Sequence, residues 1–124
     1  MTPQANANAD PPIRGYASAY ADGVMEATIR YRLDHGLWFT PPPYDWYISH
    51  GAIATNDCTE VGQMKHLIAP DGRSYRVLVA DCGGSEPHGG AAWMTRNRII
   101  AELDWPLWKH LTDKHGRPLE ITLR

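Results

Sequence analysis

The stretch 62–82, "GQMKHLIAPDGRSYRVLVADC", decides the architecture. It holds two apolar runs joined by Pro70-Asp71-Gly72-Arg73. These residues suit a tight reversal: proline presets one backbone angle, aspartate bonds its own backbone, and glycine takes left-handed angles. In the second run Val77 and Val79 point one way, Leu78 and Ala80 the other. A strand apolar on both faces is covered on both faces, as in a closed barrel or the middle of a layered sheet. The run ends on Asp81 and Cys82 and breaks into Gly83 and Gly84. That ending has two readings. Asp81 caps the following glycine backbone as simple punctuation, or the strand is a rigid rod that holds a working carboxylate at the lip of a groove.

Working outward, "DGVMEATIRYRLDHG" (22–36) has a helical rhythm, with Met25, Ile29 and Leu33 four apart, Asp22 as a cap and Gly36 as a stop. "IRGYASAY" (13–20) alternates loosely as a first strand. "LWFTPPPYDWYISHG" (37–51) is a proline-stiffened loop leading into a short strand over 47–53. "GGSEPHGGA" (83–91) reads as a mobile loop. "RIIAELDWPLWKHLTDKHG" (98–116) is a strand over 98–103 that runs into a helix capped by Asp104, with Pro106 in the first turn, where its missing N–H costs nothing. "RPLEITLR" (117–124) alternates Leu119, Ile121 and Leu123 and closes the chain as a last strand. Residues 1–12 are small, polar and proline-rich and are expected to be a flexible leader, with no signal-peptide pattern; residues 13–124 form the domain.

Composition narrows the function classes. The chain has 124 residues, enough for one core, and a formal net charge of −2 with its twelve Lys and Arg scattered, which excludes a basic nucleic-acid face. No run approaches a membrane span. Ten prolines and eleven glycines favour short strands and turns over a helical bundle. Five Trp and six Tyr against one Phe mean that most rings carry a polar edge and suit half-wet sites. Six histidines occur without metal-binding spacing, so no metal or other cofactor is expected. Cys58 and Cys82 are two thiols in a reducing compartment or a bridge in an oxidising one.

"GYASAYADGVM" (15–25) resembles the Gly-x-Ala-Ser-x-Tyr opening of the rare lipoprotein A family. "VGQMKHL" through "DGRSYRVLVAD" is similar to that family's strand–turn–strand core, where an aspartate ends the second strand. "IIAELDW" is similar to its later strand, which ends in an acid before a capped helix. The resemblance spans 15–124 and implies a mainly β, six-stranded double-psi β-barrel with two or three short appended helices. That fold is shared with barwin, the expansins and a group of lytic transglycosylases. It also implies a Cys58–Cys82 bridge, since barwin-like members carry a cysteine after the strand-ending aspartate.

The family acts on cell-wall polysaccharide, by cleaving peptidoglycan or by loosening wall polymers without hydrolysis. Carried over by position, Asp81 is the strand-ending aspartate, and Glu102 stands where the family writes the acid of Asp-Leu-Ser. Two positions depart from the pattern. Asn56 stands where the family has a histidine, with Asp57 beside it, and the loop after Asp81 lacks the family's Arg-Gly-Pro-Phe. Asn56 cannot donate a proton of tunable pKa, so Asp57 becomes a substitute candidate for the catalytic set of Asp81 and Glu102.

Protonating a glycosidic leaving group near neutral pH needs a carboxyl whose pKa is raised by an apolar, half-buried setting. Residues 77–80 promise Asp81 that setting, and Glu102 in phase with Ile100 would face inward. Against this, Glu102 can be an ordinary edge-strand glutamate. Tyr20, Asn56, Trp46, His88 and Trp93 are the candidate substrate contacts, with the crowded aromatics of 38–47 otherwise serving as core lids. The resulting expectation is a secreted or envelope-exposed monomer whose partner is peptidoglycan or a similar glycan. It is either a lytic-transglycosylase-like enzyme with Asp81 as acid/base or a non-catalytic, expansin-like wall-binding module; a barrel serving only as a scaffold is the third possibility.

Overall fold

The computed structural model describes residues 11–37, 51–83 and 90–124. Its frame is a closed barrel of six strands: β1 (Ile13–Ala19), β2 (Ala52–Thr55), β3 (Met64–Ile68), β4 (Ser74–Cys82), β5 (Ile99–Leu103) and β6 (Glu120–Leu123). Among the described residues three short helices are appended, α1 (Val24–Asp34), α2 (Ala91–Arg96) and α3 (Trp105–His115), together with a 3₁₀ turn at Cys58–Glu60. The mainly β six-stranded barrel expected from the sequence is therefore the fold.

Around the barrel the order is β1-β5-β2-β4-β3-β6. β1 runs parallel to β5 and β2 parallel to β4, while β2–β5, β3–β4, β1–β6 and β3–β6 are antiparallel. Exchanging β1 with β4, β2 with β5 and β3 with β6 reproduces the same ring and the same strand directions. The chain is thus two three-strand halves related by a pseudo-twofold. Each parallel pair carries one register shift, between Tyr16 and Ala17 in β1 and between Ile53 and Ala54 in β2.

The two-faced apolar strand behaves as its sequence requires. Val77 and Val79 fill the barrel with Ile53, Leu67, Ala101 and Leu103, while Leu78 and Ala80 turn outward and pack with Ala52 and Ala54 under Met25 and Ile29 of α1. Nearly complete burial of these side chains is worth roughly 1.5–3 kcal/mol for each of the larger ones. Gly15 belongs where it is because a Cβ there would lie 2.6 Å from Ile100 Cγ2 and 2.8 Å from the Arg98 carbonyl. The first residue of the opening motif thus lets β1 approach β5.

At one end of the barrel Trp108 and Leu111 of α3 join the interior core. Asp104 secures that end: its carboxylate accepts from Leu107 N at 2.9 Å, capping the helix, and from the buried Ala52 N at 2.6 Å. Two boundaries differ from expectation. α1 starts after Gly23, in left-handed conformation, with no side-chain cap from Asp22. The strand placed over 47–53 lies at Ala52–Thr55, with 38–50 outside the described residues.

Candidate functional site

The register shifts build the site. Strict alternation along β4 would turn Asp81 inward with Val77 and Val79. The shift instead leaves Ala80 unpaired in the parallel ladder, so that Ala54 of β2 faces Asp81. One extra residue re-aims the side chains beyond it, as a bulge does. Ala54 lies on the outer face beneath α1, and Asp81 emerges on that face. On β2's other side Ala54 is in register with Glu102, and Glu102 with Ser18 of β1. The result is an outward row across four strands: Ser18, Glu102, Ala54, Asp81. Glu102 thus faces outward, not inward as its phase with Ile100 suggests, because its neighbours Ala101 and Leu103 take the interior.

The row's polar members are tied to their surroundings. Asp81 accepts from the Tyr20 hydroxyl at 2.6 Å and from Arg32 Nη2 at 3.0 Å, one donor on each oxygen. The side chains of Asp81 and Arg32 retain 23% and 20% of their exposure, so the pair is half-buried and reachable by solvent. Ser18 Oγ donates to Glu102 Oε2 at 3.3 Å. Burial raises the Glu102 pKa above the usual glutamate range and the nearby Asp81 charge raises it further, against the lowering effect of the Ser18 bond. Burial and the bond to Asp81 push Tyr20 far above the ordinary tyrosine value, so its phenol stays a donor. Ala54's methyl is the floor between two acids of unequal character: one fixed by a phenol and a guanidinium, one pushed toward its neutral form.

Asn56 and Asp57 lie elsewhere. They border a cleft of about 380 Å³ at the barrel end where β2 finishes and β3 begins, and neither Asp81 nor Glu102 lines it. Asp57 caps the 3₁₀ turn, accepting from Thr59 N at 2.9 Å and Thr59 Oγ1 at 2.6 Å, and these bonds hold its pKa below the usual aspartate value. A carboxyl so held is a poor proton donor. Asn56 Nδ2 donates to Thr95 of α2 at 3.3 Å, and Trp93 sits half-buried on the same helix. Trp46 and His88 fall outside the described residues.

Cys58 and Cys82 form a disulfide. It fastens the turn that carries Asp57 and Glu60 to the residue after Asp81, so one covalent link braces both the cleft and the outer acid row. Such bridges persist in oxidising compartments. Among the described residues no helix is long and apolar enough to cross a membrane.

Sequence reasoning missed Ser18 and Arg32. Arg32 did carry a signal. It lies three residues after Ile29, on the same side of the helix as the apolar Met25–Ile29–Leu33 stripe, where an unpaired charge would be costly. Ser18 was legible only as a letter of the opening motif.

No known family model matches the chain, and no curated protein matches it either.

Proposed function

We propose that the chain is a double-psi β-barrel domain that engages cell-wall polysaccharide, peptidoglycan first among them, in a secreted or envelope-exposed setting. The observation that carries this reading is the outward row Ser18–Glu102–Ala54–Asp81, which presents two carboxyls of different character on a rigid four-strand floor. The pseudo-twofold strand pairing supports the double-psi assignment, and the Cys58–Cys82 bridge supports an oxidising location.

As an enzyme, the domain would protonate the glycosidic oxygen while the sugar's own hydroxyl attacks the anomeric carbon, breaking the bond to the leaving group and returning its proton to the same carboxylate, a lytic-transglycosylase-like step. The geometry favours Glu102 over Asp81 as the donor. Glu102 is the acid whose surroundings favour its proton, whereas both Asp81 oxygens already accept hydrogen bonds. Asp81 then serves as the fixed carboxylate that adds to the upward shift of Glu102 and orients the Tyr20 hydroxyl.

A second reading, a non-catalytic wall-binding module, is favoured by one specific fact. Each oxygen of Asp81 already accepts from the protein's own Tyr20 or Arg32, which braces the site and leaves fewer acceptor positions for a reacting sugar. Digestion of purified sacculi separates the two. Release of anhydro-sugar fragments, lost in Glu102→Gln, marks the enzyme. Sedimentation with sacculi at every pH without fragment release marks the binder. Failure to sediment and failure to release fragments together would remove the glycan reading.

A further inference from the structure

The barrel has two ends, and they are closed by opposite means. α3 stoppers one with Trp108 and Leu111. The other, where β2 and β6 finish and β3 starts, is closed by a polar chain. Lys65 Nζ donates to Glu60 Oε2 at 2.9 Å, and the Thr55 hydroxyl donates to Glu60 Oε1 at 2.7 Å. Lys65 is in register with the inward Val77 and is only 8% exposed; Thr55 is 2% exposed.

A lysine ammonium has three N–H donors. Among the described residues Glu60 is the acceptor for Lys65, and its remaining donors meet none. A nearly buried ammonium in that condition calls for acceptors supplied from outside. The room for them is adjacent: Lys65, Glu60 and Thr55 all line the cleft of about 380 Å³.

The chemistry of the walls selects the ligand. Among the described lining residues the side-chain charges of Lys65 and Arg124 are matched by those of Asp57 and Glu60, so the cleft presents both signs together and no single-sign trap for an ion. It sets donors beside acceptors and faces them with the aliphatic side chains of Ile13, Ile100 and Leu123, of which Ile13 is 51% exposed. Alternating hydroxyls and C–H surface on one small ring is what such a lining complements. We propose that the cleft at the β2–β3 end of the barrel binds one neutral saccharide unit, with Lys65 Nζ donating to its hydroxyl or acetamido oxygens. The ligand class rests on the glycan reading above. The site is separate from the outer acid row and would hold a second sugar of the same chain or an end of it.

The test is an amide-resolved NMR titration of the ¹⁵N-labelled protein with N,N′-diacetylchitobiose. Shifts are expected at Thr55, Glu60, Lys65 and Leu123, and Lys65→Met is expected to weaken that binding about tenfold. Should Lys65→Met fail to fold, Ile13→Glu, at an exposed position on the cleft wall, is expected to weaken it as well. Shifts confined to the outer row, no shifts at saturating sugar, or wild-type affinity in a folded Lys65→Met or Ile13→Glu would overturn the proposal. Sacculus sedimentation run in parallel keeps the two ideas apart. Wild type that sediments or releases fragments without cleft shifts sinks this site alone, whereas wild type that does neither sinks the glycan reading.

Discussion

Replacing Glu102 by glutamine tests the acid row without touching its packing. Glutamine keeps the length of the side chain and an oxygen to accept from Ser18, but it removes the charge. Glu102 and Asp81 are both in register with Ala54, one strand to either side. Two strand spacings put their backbones roughly 10 Å apart. Two like charges at that distance repel by about 1.7 kcal/mol at an effective dielectric of 20, and partial burial of Glu102 acts in the same sense. The folded-state pKa of Glu102 is raised, so between the ordinary value of 4.5 and the raised one the folded protein holds a proton that the unfolded chain has lost. Stability contributed by this residue is therefore complete below pH 4.5 and is lost as pH rises through the folded pKa. Glu102→Gln should match wild type near pH 4 and exceed it by about 1–2 kcal/mol near pH 8. Urea unfolding at pH steps between these limits measures the difference directly. Asp81→Asn in the wild-type background should shrink the pH-dependent gap by removing the repelling partner. A gap that is flat with pH, or one that grows toward acid, would refute the assignment of Glu102 as the proton-holding member.

The remaining predictions concern how the site is held. Arg32→Leu should destabilise the domain by about 1.5–3 kcal/mol near neutral pH, the range for hydrogen bonds to charged groups. A double-mutant cycle with Asp81→Asn should recover a coupling of that sign, and zero coupling would contradict the pairing. Replacing both cysteines by serine removes a cross-link between residues 24 apart and should cost about 3.5 kcal/mol in unfolding free energy on the loop-entropy relation; an unchanged urea midpoint would count against it. Asp104→Ala removes the α3 cap and strands the buried Ala52 N–H, so a loss of roughly 2–4 kcal/mol is expected by thermal or urea unfolding. A loss no larger than that of an exposed cap would mean the bond to Ala52 contributes nothing.

How far the sequence could be read divides along physical lines. Periodicity exposed what periodicity governs: the two-faced β4, the hairpin before it, the strand that runs into the Asp104-capped helix, and the terminal alternation of Leu119, Ile121 and Leu123. It did not expose the 3₁₀ turn at Cys58–Glu60 or the six-residue α2, elements too short to repeat a pattern. Nor did it expose the polar chain from Lys65 to Thr55, whose three members come from two strands and a turn and meet only when the barrel closes.

The orientation of Asp81 marks the limit most sharply. Counting along "RVLVAD" sends this carboxylate into the barrel, where an acid without a partner could not remain ionised. A single register shift against β2 reverses it, and nothing in the alternation of valines and leucines announces the shift. The reversal also explains residues far away in the chain. Once Asp81 faces outward beneath α1, the helix must supply a cation on its buried side, which Arg32 does, and the end of β1 must supply a donor, which Tyr20 does. The opening motif, the first helix and the strand-ending aspartate are therefore one unit whose members answer to a bulge of one residue. Moving that bulge by one position would return Asp81 to the interior and leave Arg32 and Tyr20 without the carboxylate that they now share.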